Sequence, residues 1–305
     1  MKILFIGNSK FFNSRIKKTL DANKKFKYII ASKSAKKYNQ KIPYNEYSEA
    51  LKNSKCDVVY ISLINKLHYK YCLLALKMKL NVIVDKPLSL SAKNCLNLLK
   101  IAKKNNVLLA EATIFNYHKI FHFIHKYTNS FRLVSRINVD FNIPRNLSNK
   151  EMKQNKLDCL SDMSSYAAAI NRIFFNTNIL KKNIYFEKYK LSKFIKKFNF
   201  HIAYKNNKFF NCNFAYGSEY ISSIKFFCNN FILEIPFQAF AMRNKYYYLF
   251  IKKNNIITKK KYRDDVVLNF FNLIKKCLKY KNFKFFYDTI ETDIKFKKTL
   301  GLFNE

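Results

Sequence analysis

The tripeptide Asp85-Lys86-Pro87, which closes the apolar run Val82-Ile83-Val84, is where residue types and spacing in this chain could do chemistry. The run reads as a buried parallel strand delivering Lys86 to the carboxyl edge of a sheet, where open α/β folds bind their ligands. Pro87 has no N–H and pushes Lys86 away from helical geometry, so the lysine should stand on a rigid turn. A lysine so placed could face a cofactor or hydrogen-bond a reacting oxygen; a surface lysine before a strand-end proline is the plainer alternative. Gly7 ends the first strand where a dinucleotide fold turns around phosphate. Gly7-Asn8-Ser9-Lys10-Phe11-Phe12 keeps only the first glycine of the G-x-G-x-x-G fingerprint, and a plain strand-turn-helix explains it equally well. Ser9 is small and offers a hydroxyl, whereas Phe12 stands where helix and strand normally approach closely. After the second strand, Ser32, Lys33 and Ser34 occupy the place of the acid that binds ribose hydroxyls in NAD enzymes. A hydroxyl beside a cation suits a 2′-phosphate, which favours NADP(H) and leaves NAD(H) open; a solvated loop is the alternative.

Positioning these groups falls to strands at 2–7, 27–31, 57–61, 81–84 and 107–110, separated by helical patterns. Asn65 can cap a helix carrying Leu67, Cys72, Leu73 and Leu76, and Ser91 one carrying Cys95, Leu98, Leu99 and Ala102. Near-continuous apolar strands alternating with helices predict a doubly wound parallel sheet over residues 1–118. After His118 the period changes to two: Ile137, Val139, Phe141 and Ile143 alternate with Asn138, Asp140 and Asn142. The pattern recurs over 198–204 and 210–216. Further strand-like stretches lie at 219–228, 231–236 and 246–258, the last a hairpin turning near Asn254-Asn255. One helix over 161–175 interrupts the series and two more close the chain. Residues 119–305 therefore read as an α+β domain, a large mostly antiparallel sheet backed by helices, with the last helices free to pack back on the first domain.

Several short patterns, weak singly, stand in a telling order: Ser62-Leu63-Ile64-Asn65-Lys66-Leu67-His68, Asp85-Lys86-Pro87, Ala110-Glu111-Ala112 with Tyr117-His118, and Leu160-Ser161-Asp162-Met163-Ser164-Ser165-Tyr166. Together they resemble the Gfo/Idh/MocA family, the glucose-fructose oxidoreductase and inositol dehydrogenase relatives, most strongly over 47–118 and again over 157–175. The resemblance implies an NAD(P)-dependent Rossmann-fold oxidoreductase that moves hydride to or from a carbon of a sugar or sugar nucleotide. It makes Lys86 and Asp162 the catalytic pair, with Tyr166 at the acid/base position. Gly7, Asn8, Ser9, Ser32, Lys33, Ser62, Leu63, Asn65, His68, Asp85, Lys86 and Glu111 become cofactor-side residues, and His118, Asp162 and Tyr166 face substrate. Such a reaction needs a proton moved on the adjacent oxygen, and a tyrosine does this near neutral pH only if a neighbouring cation lowers its pKa. Outside the family pattern, Asp162 reads as an N-capping aspartate and Tyr166 as a core tyrosine, while Glu111 and His118 could equally join the domains. The chain departs from the family at Ile64, which replaces a proline, at Leu157-Asp158, which replace two glycines, and at Ser164, which replaces a third. These losses motivate the alternative of a binding or scaffold protein without turnover.

The formal charge of +39 raises nucleic acid as a partner. Nearly all 58 basic residues are lysines, however, and Lys, Asn, Ile, Phe and Tyr crowd out Gly and Trp. That is the bias of A/T-rich codons, so the charge needs no polyanion, and Lys259-Lys260-Lys261 reads as a solvated hairpin end. The seven cysteines lie mostly inside apolar runs with no C-x-x-C pair, as expected of reduced thiols in a cytoplasmic protein. His118, His122 and His125 share a helical face, yet no carboxylate or cysteine joins them, so no metal is expected. No apolar run reaches the ~18 residues of a membrane span. The second domain's wide, aromatic-rich sheet should have one face left uncovered by its own helices, which predicts a homodimer or higher homo-oligomer through that face.

Overall fold

Strands too apolar to meet water on either face form the first sheet. The computed structural model describes residues 1–33, 44–145, 149–155, 157–175, 178–190, 192–205, 207–217, 219–241 and 245–303; Ser34 lies outside them. The N-terminal elements are β1 (Lys2–Ile6), α1 (Lys17–Asp21), β2 (Lys27–Ala31), α2 (Tyr47–Asn53), β3 (Val58–Ile61), α3 (Asn65–Lys77), β4 (Val82–Val84), α4 (Ala92–Asn105) and β5 (Leu109–Glu111). All strand pairs are parallel, in the order β2-β1-β3-β4-β5. The order reverses between β1 and β3, so the crevice at their carboxyl ends is the topological switch point. Ile3, Leu4, Phe5, Ile6, Val82, Ile83 and Val84 are wholly buried, as strands covered on both faces must be.

Next follow α5 (Lys119–Tyr127), β6 (Val134–Ile143), α6 (Asn149–Asn155), α7 (Cys159–Phe174), β7 (Ile179–Lys188), β8 (Ile195–Tyr204), β9 (Lys208–Tyr216), β10 (Ile221–Cys228), β11 (Ile232–Ile235), β12 (Lys245–Lys253) and β13 (Ile256–Asp264). Two helices close the chain, α8 (Val266–Tyr280) and α9 (Lys284–Thr299). The chain divides into two compact units: Met1–Thr113 with Val267–Lys295, and Ile114–Val266 with Phe296–Leu302. Within the first unit, Phe271 of α8 meets Phe26 and Tyr60, and the Tyr287 hydroxyl of α9 donates to Val107 O at 2.6 Å.

The second unit holds an eight-stranded sheet ordered β13-β12-β11-β10-β6-β9-β8-β7, antiparallel except for the β6–β9 pair. Period two sends Phe198, Phe200, Phe210, Phe214 and Phe226 to one fully buried face. Ala167, Ala168 and Ala169 are buried on α7, whose small side chains allow close packing, and Tyr204 of the sheet donates to Asn171 of the helix at 2.6 Å. The opposite face is polar at its centre. Asn211 donates to Asn138 at 3.1 Å, and Asn213 reaches Asp140 and Asn142. The rings went to the helix side because burying them there removes the most apolar area from water.

Two local expectations change. The hairpin does turn at Asn254 and Asn255, both with positive φ (48° and 61°), as a tight two-residue turn requires. Lys259–Lys261, however, lie along edge strand β13, with Lys259 and Lys261 each 3.8 Å from the ring centres of Tyr248 and Tyr246. Charged side chains there guard an exposed strand edge. The exposed strand β7 escaped the sequence reading, since its residues bury almost nothing on either face.

Candidate functional site

Each unit carries its own cluster of candidate residues. In the first, Gly7 adopts φ +101°, and a Cβ there would meet Ser62 O at 2.3 Å. Only glycine lets the turn after β1 approach β3 so closely. The Ser9 and Ser62 hydroxyls lie 2.6 Å apart, Ser9 Oγ accepts the Phe12 N–H at 3.0 Å, and Asn13 donates back to Asn8 Oδ1 at 2.7 Å. Phe12, expected to obstruct close packing, is itself fully buried, its ring 4.3 Å from Phe5 and 5.7 Å from Tyr28. The helix opens over Phe12–Ile16 with the wider π spacing. That extra width accompanies a bulky side chain where the fingerprint has glycine.

The serine pair continues into Asp85. Ser62 Oγ donates to Asp85 Oδ2 at 2.6 Å and Tyr60 to Oδ1 at 2.7 Å, so hydrogen bonds join the first turn to the ends of β3 and β4. Burial raises the Asp85 pKa, opposed by the bonds from Ser62 and Tyr60. Burial, with the charge of Asp85, raises Tyr60 well above the ordinary phenol range and keeps it a donor. Lys86 follows directly, half-buried, and its bond to Pro87 is cis. The next stretch is held from two sides. His68, fully buried, lies 2.7 Å from Pro87 O and 3.0 Å from Leu63 O, and Leu88 N–H donates to Glu111 Oε2 at 2.6 Å. Asn65 does not cap α3: Ile64 takes the cap position in extended conformation, and Asn65 is the first helical residue. Its Nδ2 is buried without a partner, a donor in need of an acceptor. That donor and the tight Gly7 turn fit a dinucleotide laid across the switch point. Ser32 is buried, while Lys33 is exposed and paired with Glu46 at 2.9 Å.

In the second unit α7 begins with a capping box. Asp158 Oδ1 accepts the Ser161 N–H at 2.8 Å, Ser161 Oγ accepts the Asp158 N–H at 2.9 Å, and Asp158 Oδ2 accepts the Ile195 N–H at 3.0 Å. The cap is therefore Asp158, and Asp162 is released from that duty. Asp158 has φ −144°, and neither Leu157 nor Ser164 has positive φ. The backbone angles at these positions do not call for glycine. Asp162, in the first turn, accepts the hydroxyl of fully buried Tyr216 at 2.6 Å. Tyr166, one turn on and half-buried, is ringed by Phe115 (5.6 Å), Phe141 (5.3 Å) and Phe240 (5.1 Å). His118 caps α5: its Nδ1 accepts the Ile120 N–H at 3.0 Å, it is buried, and burial brings its pKa down to about 4. Among the described residues no group of three His, Cys, Asp or Glu could hold a metal ion, and no helix is long and apolar enough to cross a membrane.

Sequence reasoning missed Tyr60, Asp158 and Tyr216. Tyr60 and Tyr216 looked like ordinary strand residues, and their carboxylate partners lie 25 and 54 positions away. Asp158 had a local signal, a serine three residues on before an apolar helix.

Residues 1–113 match the family model described as an oxidoreductase family with an NAD-binding Rossmann fold, Gfo/Idh/MocA. The trans-1,2-dihydrobenzene-1,2-diol dehydrogenase of Xenopus tropicalis is 36% identical over 76 residues, 24% of this chain and 23% of that protein. Its Danio rerio counterpart is 32% identical over 82 residues, 27% and 25% of the two lengths. The matched stretch thus spans about a quarter of these curated relatives. Solved structures agree over almost the whole chain. A 3-ketoreductase from Actinomadura kijaniata, in complex with NADP and TDP-benzene, superposes with TM-score 0.87 at 14% identity, covering 99% of this chain and 97% of that one. A UDP-N-acetylglucosamine 3-dehydrogenase from Acidithiobacillus ferrooxidans gives TM-score 0.78 at 11% identity, covering 98% and 96%. At such identities the likeness is one of fold.

Proposed function

We propose that this chain, with an N-terminal domain of the Gfo/Idh/MocA type, is an NAD(P)-dependent oxidoreductase moving hydride to or from a carbon of a sugar or sugar nucleotide, with NADP(H) favoured. The observation that carries the reading is the setting of Lys86. It leaves β4 at the carboxyl edge, on a turn held by Glu111 through Leu88 N–H and by His68 through Pro87 O. Lysines in loose loops are common in this chain; one fixed at a ligand-binding edge is a placed charge. The Actinomadura and Acidithiobacillus neighbours, a ketoreductase and a sugar-nucleotide dehydrogenase, support the substrate class.

The nicotinamide, when bound, gives or takes the hydride. The Gly7–Ser9 turn, Ser62, Leu63 and Asn65 would hold the dinucleotide, with Asn65 Nδ2 finding its acceptor there. Lys33 would meet a 2′-phosphate once it lets go of Glu46, a surface pair that costs little to break. Lys86 hydrogen-bonds the substrate oxygen whose proton must move and stabilises negative charge on it. In the second unit, Tyr166 would serve as a proton donor or acceptor and Asp162 would orient a substrate hydroxyl. Association of two copies through the polar open face of the eight-stranded sheet belongs to the same proposal, and sedimentation velocity checks it.

Calorimetric titration with NADPH and NADH, followed by turnover with a panel of sugar nucleotides and their keto forms, tests the reading. Tight NADPH binding and a turnover lost in Lys86→Ala are expected. Binding of neither dinucleotide at millimolar concentration sinks it. Binding without turnover on any substrate, unchanged in Lys86→Ala, points instead to a protein that keeps the fold and has given up catalysis.

A further inference from the structure

We propose that Tyr216 is a positioning residue for Asp162, helping to fix the plane of its carboxylate through the hydrogen bond from its hydroxyl. This rests on the reading of Asp162 as a residue of the reaction. Tyr216 ends β9 in register with Ile143 at the end of β6. The chain turns away at once: Gly217 has φ +78°, and its N–H donates to Ile143 O at 3.0 Å. The ring is fully buried, so the hydroxyl has one direction to point, and it donates to Asp162 Oδ2 at 2.6 Å. That distance is typical of a neutral O–H donating to a carboxylate. Burial, and then the charge of Asp162, push the phenol well above its ordinary range, so it remains a donor at neutral pH. Arg145, just past β6, lies with its guanidinium 5.8 Å from the centre of the same ring.

Two features separate this pair from ordinary core hydrogen bonding. The helix start is already capped by Asp158, so Asp162 is not needed there for local stability. Asp162 is also only half-buried, so the pair is not sealed wholly inside the core. A carboxylate with one oxygen engaged by an immobile phenol cannot rotate freely, and the orientation of its remaining lone pairs is set before substrate arrives.

Tyr216→Phe removes the hydroxyl and nothing else. With a sugar-nucleotide substrate, kcat should fall by about 10- to 100-fold while KM stays within about threefold. Because Tyr216 acts through Asp162, the double variant Tyr216→Phe/Asp162→Asn should be no slower than Asp162→Asn alone. A purely structural hydroxyl predicts otherwise: lower unfolding stability, unchanged kcat in the folded enzyme, and additive effects in the double variant. An independent measurement uses proteins with Tyr216 intact. The Tyr216 hydroxyl proton, far downfield in the wild-type NMR spectrum, should move upfield in Asp162→Asn, and an unmoved resonance overturns the proposal. Wild-type kcat in Tyr216→Phe, or an additive double variant, also overturns it while leaving the enzymatic reading intact. A wild-type protein with no turnover removes both.

Discussion

Glu111 Oε2 accepts the backbone N–H of Leu88 at 2.6 Å. A carboxylate at the end of β5 thereby anchors the chain two residues beyond Lys86, while His68 holds Pro87 O from the other side. The lysine inherits its position from two side chains that need not touch substrate. Glu111→Ala leaves Leu88 N–H without its charged acceptor and should cost about 1–3 kcal/mol of stability. Glu111→Gln, which keeps an acceptor oxygen, should cost less. Urea unfolding of the three proteins measures the order, and turnover should fall in the same order as the Lys86 turn loosens.

Lys86→Ala should lower kcat by about 10²- to 10⁴-fold, the range expected when a positioned proton-transfer or charge-stabilising group is removed. NADPH affinity should change by only a few fold, because the Gly7 turn and Asn65 are untouched. Steady-state kinetics and calorimetry on the same preparation separate the two effects.

Phe12 occupies core space that glycine would leave empty. Phe12→Ala should destabilise the protein by about 3–5 kcal/mol, the usual cost of deleting a buried phenyl group. Restoring glycine should be worse still, through added backbone freedom in the helix start. Chemical denaturation checks both. A stability gain in Phe12→Gly would show that the π-spaced opening is strained.

Lys33→Ala should weaken NADPH binding by about tenfold and leave NADH binding unchanged. Glu46→Ala should do the reverse for NADPH, since it frees the cation from its present partner at 2.9 Å. Both arms are read from competition titrations at fixed ionic strength, because exposed charge pairs are screened by salt.

His118 makes stability depend on pH. Its folded pKa, brought down to about 4 by burial, lies below the ordinary 6.5. The unfolded chain therefore binds the proton more readily between those values. Its contribution is complete above about pH 6.5 and is lost as pH falls toward about 4, by on the order of 3 kcal/mol. Protonation would also take Nδ1 away from the Ile120 N–H that it caps. His118→Asn keeps a capping side chain without the titration. Its stability should fall less than wild type between pH 7.5 and pH 4.5 (about the two ends of that window), as measured by urea midpoints.

The parallel strands, the Gly7 turn, the period-two sheet and the Asn254-Asn255 hairpin are legible in the order of residues alone. Each is written in residues a few positions apart, through apolar periodicity or a backbone angle that few residues adopt. The same locality made Lys86 at the end of β4 legible. It also explains one misreading: Phe12 looked like an obstruction, because the space beside Phe5 that its ring fills is not visible from spacing alone. Tertiary structure decided which carboxylates are held and by what. Tyr60 meets Asp85, Glu111 meets Leu88 N–H and Tyr216 meets Asp162 only after segments distant in sequence are packed together. A hydrogen bond of this kind depends on a distance of under 3 Å between groups 23 to 54 residues apart, and only packing sets that distance.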